Sequence, residues 1–418
     1  MGQPDGCLAH VAAHGSIAVM LALEMFRSLP RHLAARAMGG RLPGLLTGPT
    51  APLRLVNREE PSQSRPGWVR LQTRLSGICG SDLGAVSGRT SRYFSGLVSM
   101  PFVPGHEVVA DLAEDCEDLP AGTRVVLDPV LSCAARGVDR CDACRSGATN
   151  RCDRITVGHI APGLQTGFCA DTGGGWGAVL TAHRSQLHPV PEDLSDGQAV
   201  LVEPIACAVH TALRARVPRG AHVLVGGAGA VGLFTTLALR ELTAAGDITV
   251  VAKHSQQSEL ARDFGATEVV TPAEVLRGVR RATRAFWVSP ELSRPFLLGG
   301  VDVAIDAVGS RESIETCLHS TRAGGRVVLS GMPAAADLSA AWFRELEIVG
   351  AYASAVHEPA ADGRGAFDLA IELASGHGIA ALTVARYPLH SWREALDHAH
   401  SAGRLGTVKV AFDPRSNR

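Results

Sequence analysis

The chain has 418 residues, which at ordinary domain sizes allows two or three domains. With 46% apolar and 19% charged residues it reads as a globular protein with a sizeable core, which excludes a disordered or fibrous chain. Forty Lys and Arg against 41 Asp and Glu leave a net charge of −1, so no face is basic enough to make nucleic acid the expected partner. The bases are almost all arginine, with lysine only at Lys253 and Lys409. Ten cysteines in a long chain without a convincing secretory signal suit metal ligation in a reducing compartment better than disulfides, and the expected location is the cytoplasm. The apolar run 17–26 has no basic region before it, carries Glu24 and is too short to span a bilayer, so no membrane is expected either.

In chain order, residues 1–28 read as an N-terminal extension with no partner element of its own. From Leu53 the pattern alternates, most clearly over Trp68–Leu75, as half-buried strands do. Further strand-like runs at Val108–Asp111, Arg124–Asp128 and Ala178–Ala182 make the first half mainly β. Near Pro218 the regime changes. His222–Val225 is a short continuous apolar run suited to a buried parallel strand. A glycine-rich turn follows, then a helix over Gly232–Leu242, a strand over Ile248–Ala252 and a helix ending at Gly265. Next come the strand Val301–Ala307, the helix Ser313–Ala323 and the strand Arg326–Ser330. Strands alternating with helices predict a doubly wound parallel sheet. Short strands and the helix Phe367–Ser375 return after about residue 345. The expected organisation is α/β: a β-rich domain over 29–204 and 346–418, with a nucleotide-binding domain over 205–345 inserted into it.

Gly227-Ala228-Gly229-Ala230-Val231-Gly232 is a G-x-G-x-x-G directly after a strand and opening a helix. Such a turn brings backbone N–H groups and a helix N-terminus to a pyrophosphate. Gly227, Gly229, Ala230, Val231 and Gly232 are therefore expected to bind a dinucleotide. The end of the second strand is Ala252-Lys253-His254, with no carboxylate for a ribose 2′-hydroxyl. Lys253 and His254 instead suit a 2′-phosphate, so NADP is preferred over NAD. Lys253 as a solvated surface charge, with both cofactors binding, is the alternative.

Three separated fragments could converge on one metal: Cys79 between glycines, the pair His106-Glu107, and Glu203 just before the crossover to the nucleotide domain. Thiolate, imidazole and carboxylate together suit Zn²⁺ with one position open to substrate. Taken singly, each is as readily a buried side chain without a ligand. A second cluster, Cys133, Cys141, Cys144 and Cys152, has knuckle spacing and suits a closed structural Zn²⁺. Unconnected reduced cysteines are the bland alternative.

These motifs in this order resemble the zinc-dependent medium-chain dehydrogenase/reductase family (the alcohol dehydrogenase superfamily), in its polyol and threonine dehydrogenase-like branch. The resemblance covers about residues 40–415 and includes Glu203-Pro-x-x-Cys207-x-x-His210 and the closing Gly406-x-Val408-Lys-Val410. It implies a GroES-like β-rich catalytic domain, a Rossmann domain, an active site in the cleft between them, and a homodimer or homotetramer. It also implies that Cys79 and His106 are catalytic zinc ligands, that Glu203 is a ligand or close to one, and that Glu107 is an exchangeable neighbour. Asp82 would orient His106, and Ser81 would touch the substrate hydroxyl and start a proton relay. The implied activity interconverts a secondary alcohol of polyol, sugar or cyclitol type and its carbonyl by hydride transfer. Alternatives are a non-catalytic zinc and NADP(H)-binding protein and a zinc-independent reductase of the quinone type, though the latter lack the Cys79 and His106-Glu107 fragments. Three departures stand out. Gly84 replaces a relay histidine, so the proton would leave by Glu107, water or the cofactor ribose. Val138 stands where the first lobe cysteine is usual, so Cys133 must reach in over a longer loop. Ile160–Trp176, with its triple glycine, is unusual and has no helix after it to make a phosphate cradle. Tyr93 and Phe94 are candidates for the substrate cleft, Cys207 and His210 for packing, and Trp342 for core or interface.

Overall fold

A computed structural model describes residues 18–38, 47–48, 51–61, 65–355, 364–376 and 378–417. The chain opens with strand β1 (Val19–Met25), helix α1 (Leu29–Met38) and strand β2 (Leu53–Glu59), and β1 and β2 pair antiparallel. Then come β3 (Trp68–Gly77), α2 (Gly80–Val86), β4 (Val108–Leu112), β5 (Arg124–Leu127), β6 (Val179–His183) and β7 (Leu187–Pro189). The long helix α3 (Val202–Arg214) leads into the second half. There β8 (Val223–Gly226), α4 (Ala230–Leu242), β9 (Ile248–Val251), α5 (Ser255–Asp263) and β10 (Glu268–Val270) alternate. After α6 (Val275–Thr283), β11 (Phe286–Val288) and β12 (Phe296–Leu298) form a small hairpin. The series closes with β13 (Val301–Asp306), α7 (Arg311–Ser320), β14 (Thr321–Leu329) and β15 (Glu347–Gly350). Last are α8 (Ala366–Ser375), β16 (Val384–Tyr387), α9 (Trp392–Ser401) and β17 (Lys409–Phe412).

Two sheets organise these elements. A six-stranded parallel sheet runs β10-β9-β8-β13-β14-β15, a doubly wound order with the glycine turn leaving its central strand β8. A seven-stranded sheet runs β16-β17-β3-β4-β5-β7, with β6 also on β3. The closing strand β17 returns to lie antiparallel to β3, which brings the last motif of the sequence beside Gly77. The largest core is continuous between the halves: α3 buries Val202, Ile205, Ala206 and Val209 against Leu75 and Val126 on one side and Phe234 and Val225 on the other. This shared core fixes the cleft geometry.

Three expectations need correction. The segment read as an extension without a partner becomes a packed strand from Val19: Ala22, Leu23 and Met25 are buried in a core with Trp176, Trp392 and Phe412. Its Glu24 is buried but held by Arg54 at 2.7 Å and Arg58 at 3.4 Å. The partner strand lies far along the chain, beyond the reach of a local reading, and residues 1–17 lie outside the described residues. The nucleotide sheet extends past residue 345, because β15 pairs parallel with β14. The helix expected over Ser313–Ala323 stops at Ser320, where Thr321 turns extended into β14 and its hydroxyl donates to the Cys317 carbonyl at 2.7 Å.

Candidate active site and thiol lobe

Cys79 caps the N-terminus of α2, and its backbone N–H donates to Asp82 Oδ2 at 3.0 Å. The other Asp82 oxygen lies 3.5 Å from His106 Nδ1, while Ser81 Oγ lies 3.4 Å from Nε2. The turn after Cys79 thus places Ser81 at one ring nitrogen and the Asp82 carboxylate near the other, where Asp82 Oδ1 and His106 Nδ1 make no hydrogen bond among the described residues. Burial opposes a charge on His106, yet Asp82 and, behind it, Cys79 raise its pKa well above the ordinary histidine range. A pocket that favours a proton on this ring favours a cation placed against it.

Glu107 is packed into the backbone of β3. A Cβ on Gly77 would stand 1.9 Å from Glu107 Oε2, so only glycine leaves room. Glu107 Oε1 accepts from Lys409 Nζ at 2.6 Å, a buried pair. Glu107 Oε2 has no hydrogen-bond partner among the described residues. Lys409 escaped the functional reading of the sequence, although its being one of two lysines in the chain was a usable signal. Glu203 sits in the first turn of α3, where the helix dipole favours an acid, and accepts the Cys207 thiol at 3.3 Å on Oε1. Burial, with Glu107 beside it, pushes Glu203 up to about 7.

The triple-glycine segment has a structural task. Gly175 N donates to the Gly105 carbonyl at 2.9 Å, Trp176 N to the Pro104 carbonyl at 2.9 Å, and the Trp176 indole to the Gly77 carbonyl at 3.3 Å. One fully buried tryptophan therefore ties the His106 turn to the Cys79 turn. Within the same unusual region, Phe168 packs on His106 with centroids 5.8 Å apart. Tyr93, expected near the cleft, is 78% exposed and packs on Phe94 instead.

A cavity of about 300 Å³ joins the two halves. Cys79 and Glu107 line one wall, Gly229 and Val231 of the glycine turn another, and Thr407 and Lys409 a third. Gly232 is where helix and strand must touch: a Cβ there would stand 2.0 Å from the Gly227 carbonyl. At the end of β9, Ala252 is buried and Lys253 is exposed, its N–H donating to Gln257 Oε1 at 3.3 Å. Lys253 and His254 lie outside the walls of this cavity.

The four lobe cysteines meet. The sulfurs of Cys133, Cys141, Cys144 and Cys152 lie within 4.8 Å of one another and are buried, and Cys133 reaches the group despite its longer loop. Burial would raise the Cys141 thiol, but N–H groups of Asp153 and Cys144 hold it down at about 6, while burial pushes Cys144 well up. One thiolate forms readily and the next is resisted, as expected of neighbours that need a shared cation to ionise together. Among the described residues this is the one set of three or more such ligand atoms gathered that closely. Cys79, His106, Glu107 and Glu203 are neighbours around the cleft but are not drawn into so tight a group. Their thiol, imidazole and carboxylates, with the unengaged Glu107 Oε2, nonetheless form a donor set that fits zinc.

Comparison with known proteins agrees with this geometry. The alcohol dehydrogenase GroES-like domain family matches residues 65–192, and the zinc-binding dehydrogenase family matches residues 230–374. The chain is 31% identical to L-idonate 5-dehydrogenase of Vitis vinifera over 296 residues, 69% of this chain and 74% of that protein. It is likewise 31% identical to a sorbitol dehydrogenase of Arabidopsis thaliana over 294 residues, 69% and 74% of the two chains. Among solved structures, 2R,3R-butanediol dehydrogenase from Bacillus subtilis shares the fold, with a TM-score of 0.66 at 21% identity over 94% of this chain and 99% of that one. The chain belongs to the zinc-dependent medium-chain dehydrogenase/reductase family, the alcohol dehydrogenase superfamily. It is accordingly an oxidoreductase, and the non-catalytic alternative is not favoured.

Proposed function

We propose that the protein interconverts a secondary alcohol of polyol, sugar or cyclitol type and its carbonyl, with zinc and NADP in preference to NAD. The observation that carries the reading is the shared cavity, with Cys79 and Glu107 on one wall and the glycine turn on the opposite one. The polyol assignment draws on the relatives named for idonate and sorbitol. The NADP preference draws on Ala252 and Lys253 at a strand end that lacks an acid. When bound, zinc supplies a Lewis acid to the substrate oxygen and the nicotinamide accepts the hydride.

Cys79, His106 and Glu203 would hold the catalytic ion, with Glu107 as the exchangeable neighbour, and the four lobe cysteines would hold a structural one. Asp82 fixes the imidazole. Ser81 Oγ, beside His106, is placed to take the hydroxyl proton. With glycine at position 84, Glu107 Oε2 is the buried acceptor on this side, steadied by the Lys409 ion pair. A homodimer or homotetramer is supported by β15, which among the described residues is paired on one side only, with Trp342 and Phe343 nearby at 84% and 68% exposure; a second copy would cover this edge. A cytoplasmic location accords with reduced cysteines in a metal lobe. No helix among the described residues is long and apolar enough to cross a membrane.

The test is a panel of polyols and their ketones with NADP and NAD, run on the wild type and on Cys79→Ser and His106→Ala. Turnover is expected in the wild type with NADP. In the variants it should fall by at least a thousandfold while nucleotide binding persists. Turnover by the zinc-stripped wild type would refute the mechanism.

A further inference from the structure

Asn150 joins the thiol lobe to the nucleotide sheet and to α3. Asn150 stands in the turn Thr149–Arg151 between Cys144 and Cys152, and its Nδ2 donates to the Tyr352 carbonyl at 2.6 Å. The same Nδ2 lies 3.3 Å from His210 Nε2, which serves as the acceptor of that bond. Tyr352 follows directly on β15 and so belongs to the end of the nucleotide sheet. Its hydroxyl donates to Gln165 Oε1 at 3.0 Å, and Gln165 is buried and bridged to Val130 in the catalytic half. The tyrosine is therefore held at both ends by residues from across the cleft.

His210 continues the line. Glu203, Cys207 and His210 stand at i, i+4 and i+7 on α3, one stripe of one helix face. The Cys207 thiol donates to Glu203, so the imidazole that Asn150 holds and the acid of the candidate site share one face of α3. Cys207 and His210, which the sequence offers as packing, are both part of this line.

We propose that Asn150 is a positioning residue: by holding the Tyr352 carbonyl and the His210 imidazole together it fixes the spacing between the nucleotide sheet and the α3 face, and so sets the width of the alcohol end of the cleft. The proposal rests on reading the Glu203 face of α3 as the alcohol side. The lobe thus acts at a distance on substrate fit, while the nucleotide, seated at the glycine turn, is outside its reach.

Asn150→Asp keeps the side-chain shape and removes both donated bonds. In the zinc-replete protein we expect roughly tenfold faster hydrogen exchange across 351–355 and a KM for the reactive alcohol raised roughly three- to tenfold. The kcat, the nucleotide Kd and the zinc count should each stay within twofold. Unchanged exchange and KM, or an equal loss in every quantity, would overturn the proposal. Should Asn150→Asp not fold, Asn150→Ala removes the same two bonds without adding a charge: faster exchange over 351–355 supports the proposal and unchanged exchange ends it. Exchange needs no turnover, so a wild type inactive on every polyol would defeat the proposed function and leave this test decisive.

Discussion

At the residue scale the site depends on charges withdrawn from water and matched in pairs. Glu107 is buried against Gly77 and neutralised by Lys409; Asp82 is buried against His106. Glu203 is the exception, since the group that donates to it is the Cys207 thiol, which burial keeps neutral. In the zinc-free protein its carboxyl is pushed up to about 7 from an ordinary 4.5, chiefly by burial. A folded acid that keeps its proton to higher pH than the unfolded chain contributes stability that is complete below about 4.5 and is lost as pH rises through 7. In thermal melts of zinc-stripped protein, Glu203→Gln should therefore gain on the wild type from pH 5 to pH 8, by roughly 2–3 kcal/mol over that window. A margin that does not change with pH would contradict this account of Glu203. The sequence offered Cys79, His106, Glu107 and Glu203 as chemistry because each stands in a recognisable fragment. It could not show Lys409 reaching Glu107, since that contact exists only once β17 lies against β3.

Among the elements, the glycine turn was legible because its demands are local: a strand, three glycines and a helix occupy one short stretch. The steric requirement at Gly232 makes it testable. Gly232→Ala places a methyl group 2.0 Å from the Gly227 carbonyl oxygen, so the turn must open. Titration with NADPH should show affinity lowered at least tenfold while the zinc content stays as in the wild type; unaltered affinity would remove the turn from the cofactor site. The elements that escaped the sequence reading depend on distant partners. Val19–Met25 is apolar except for Glu24 and shows no clear alternation, and its pairing with Leu53–Glu59 spans the insertion that carries α1. The triple glycine before Trp176 read as an unusual glycine loop with no helix after it to cradle a phosphate. Its role is to let one chain segment lie against Pro104 and Gly105, a contact between segments rather than a local pattern.

For the molecule as a whole, alternating strand and helix patterns were enough to give the doubly wound sheet, and the β-rich first half was equally clear. The domain limits were harder, because only the short helix Ser339–Phe343 precedes β15, too brief a helical signal to announce that the sheet continues. That same strand is the open edge of the sheet. If a second copy covers it, Trp342→Glu should shift sedimentation velocity from a dimer or tetramer to a monomer at micromolar concentration; a wild type that is monomeric, or a variant that stays assembled, would rule the edge out.

The proposed chemistry requires two metal sites of different kinds within one chain. Elemental analysis of the purified wild type and Cys79→Ser, with polyol turnover measured on the same samples, is the most direct examination. Two zinc ions per wild-type chain, falling to one in an inactive variant that still melts cooperatively, is the predicted result. A wild type that holds zinc only in the four-cysteine lobe yet turns over alcohol would contradict it.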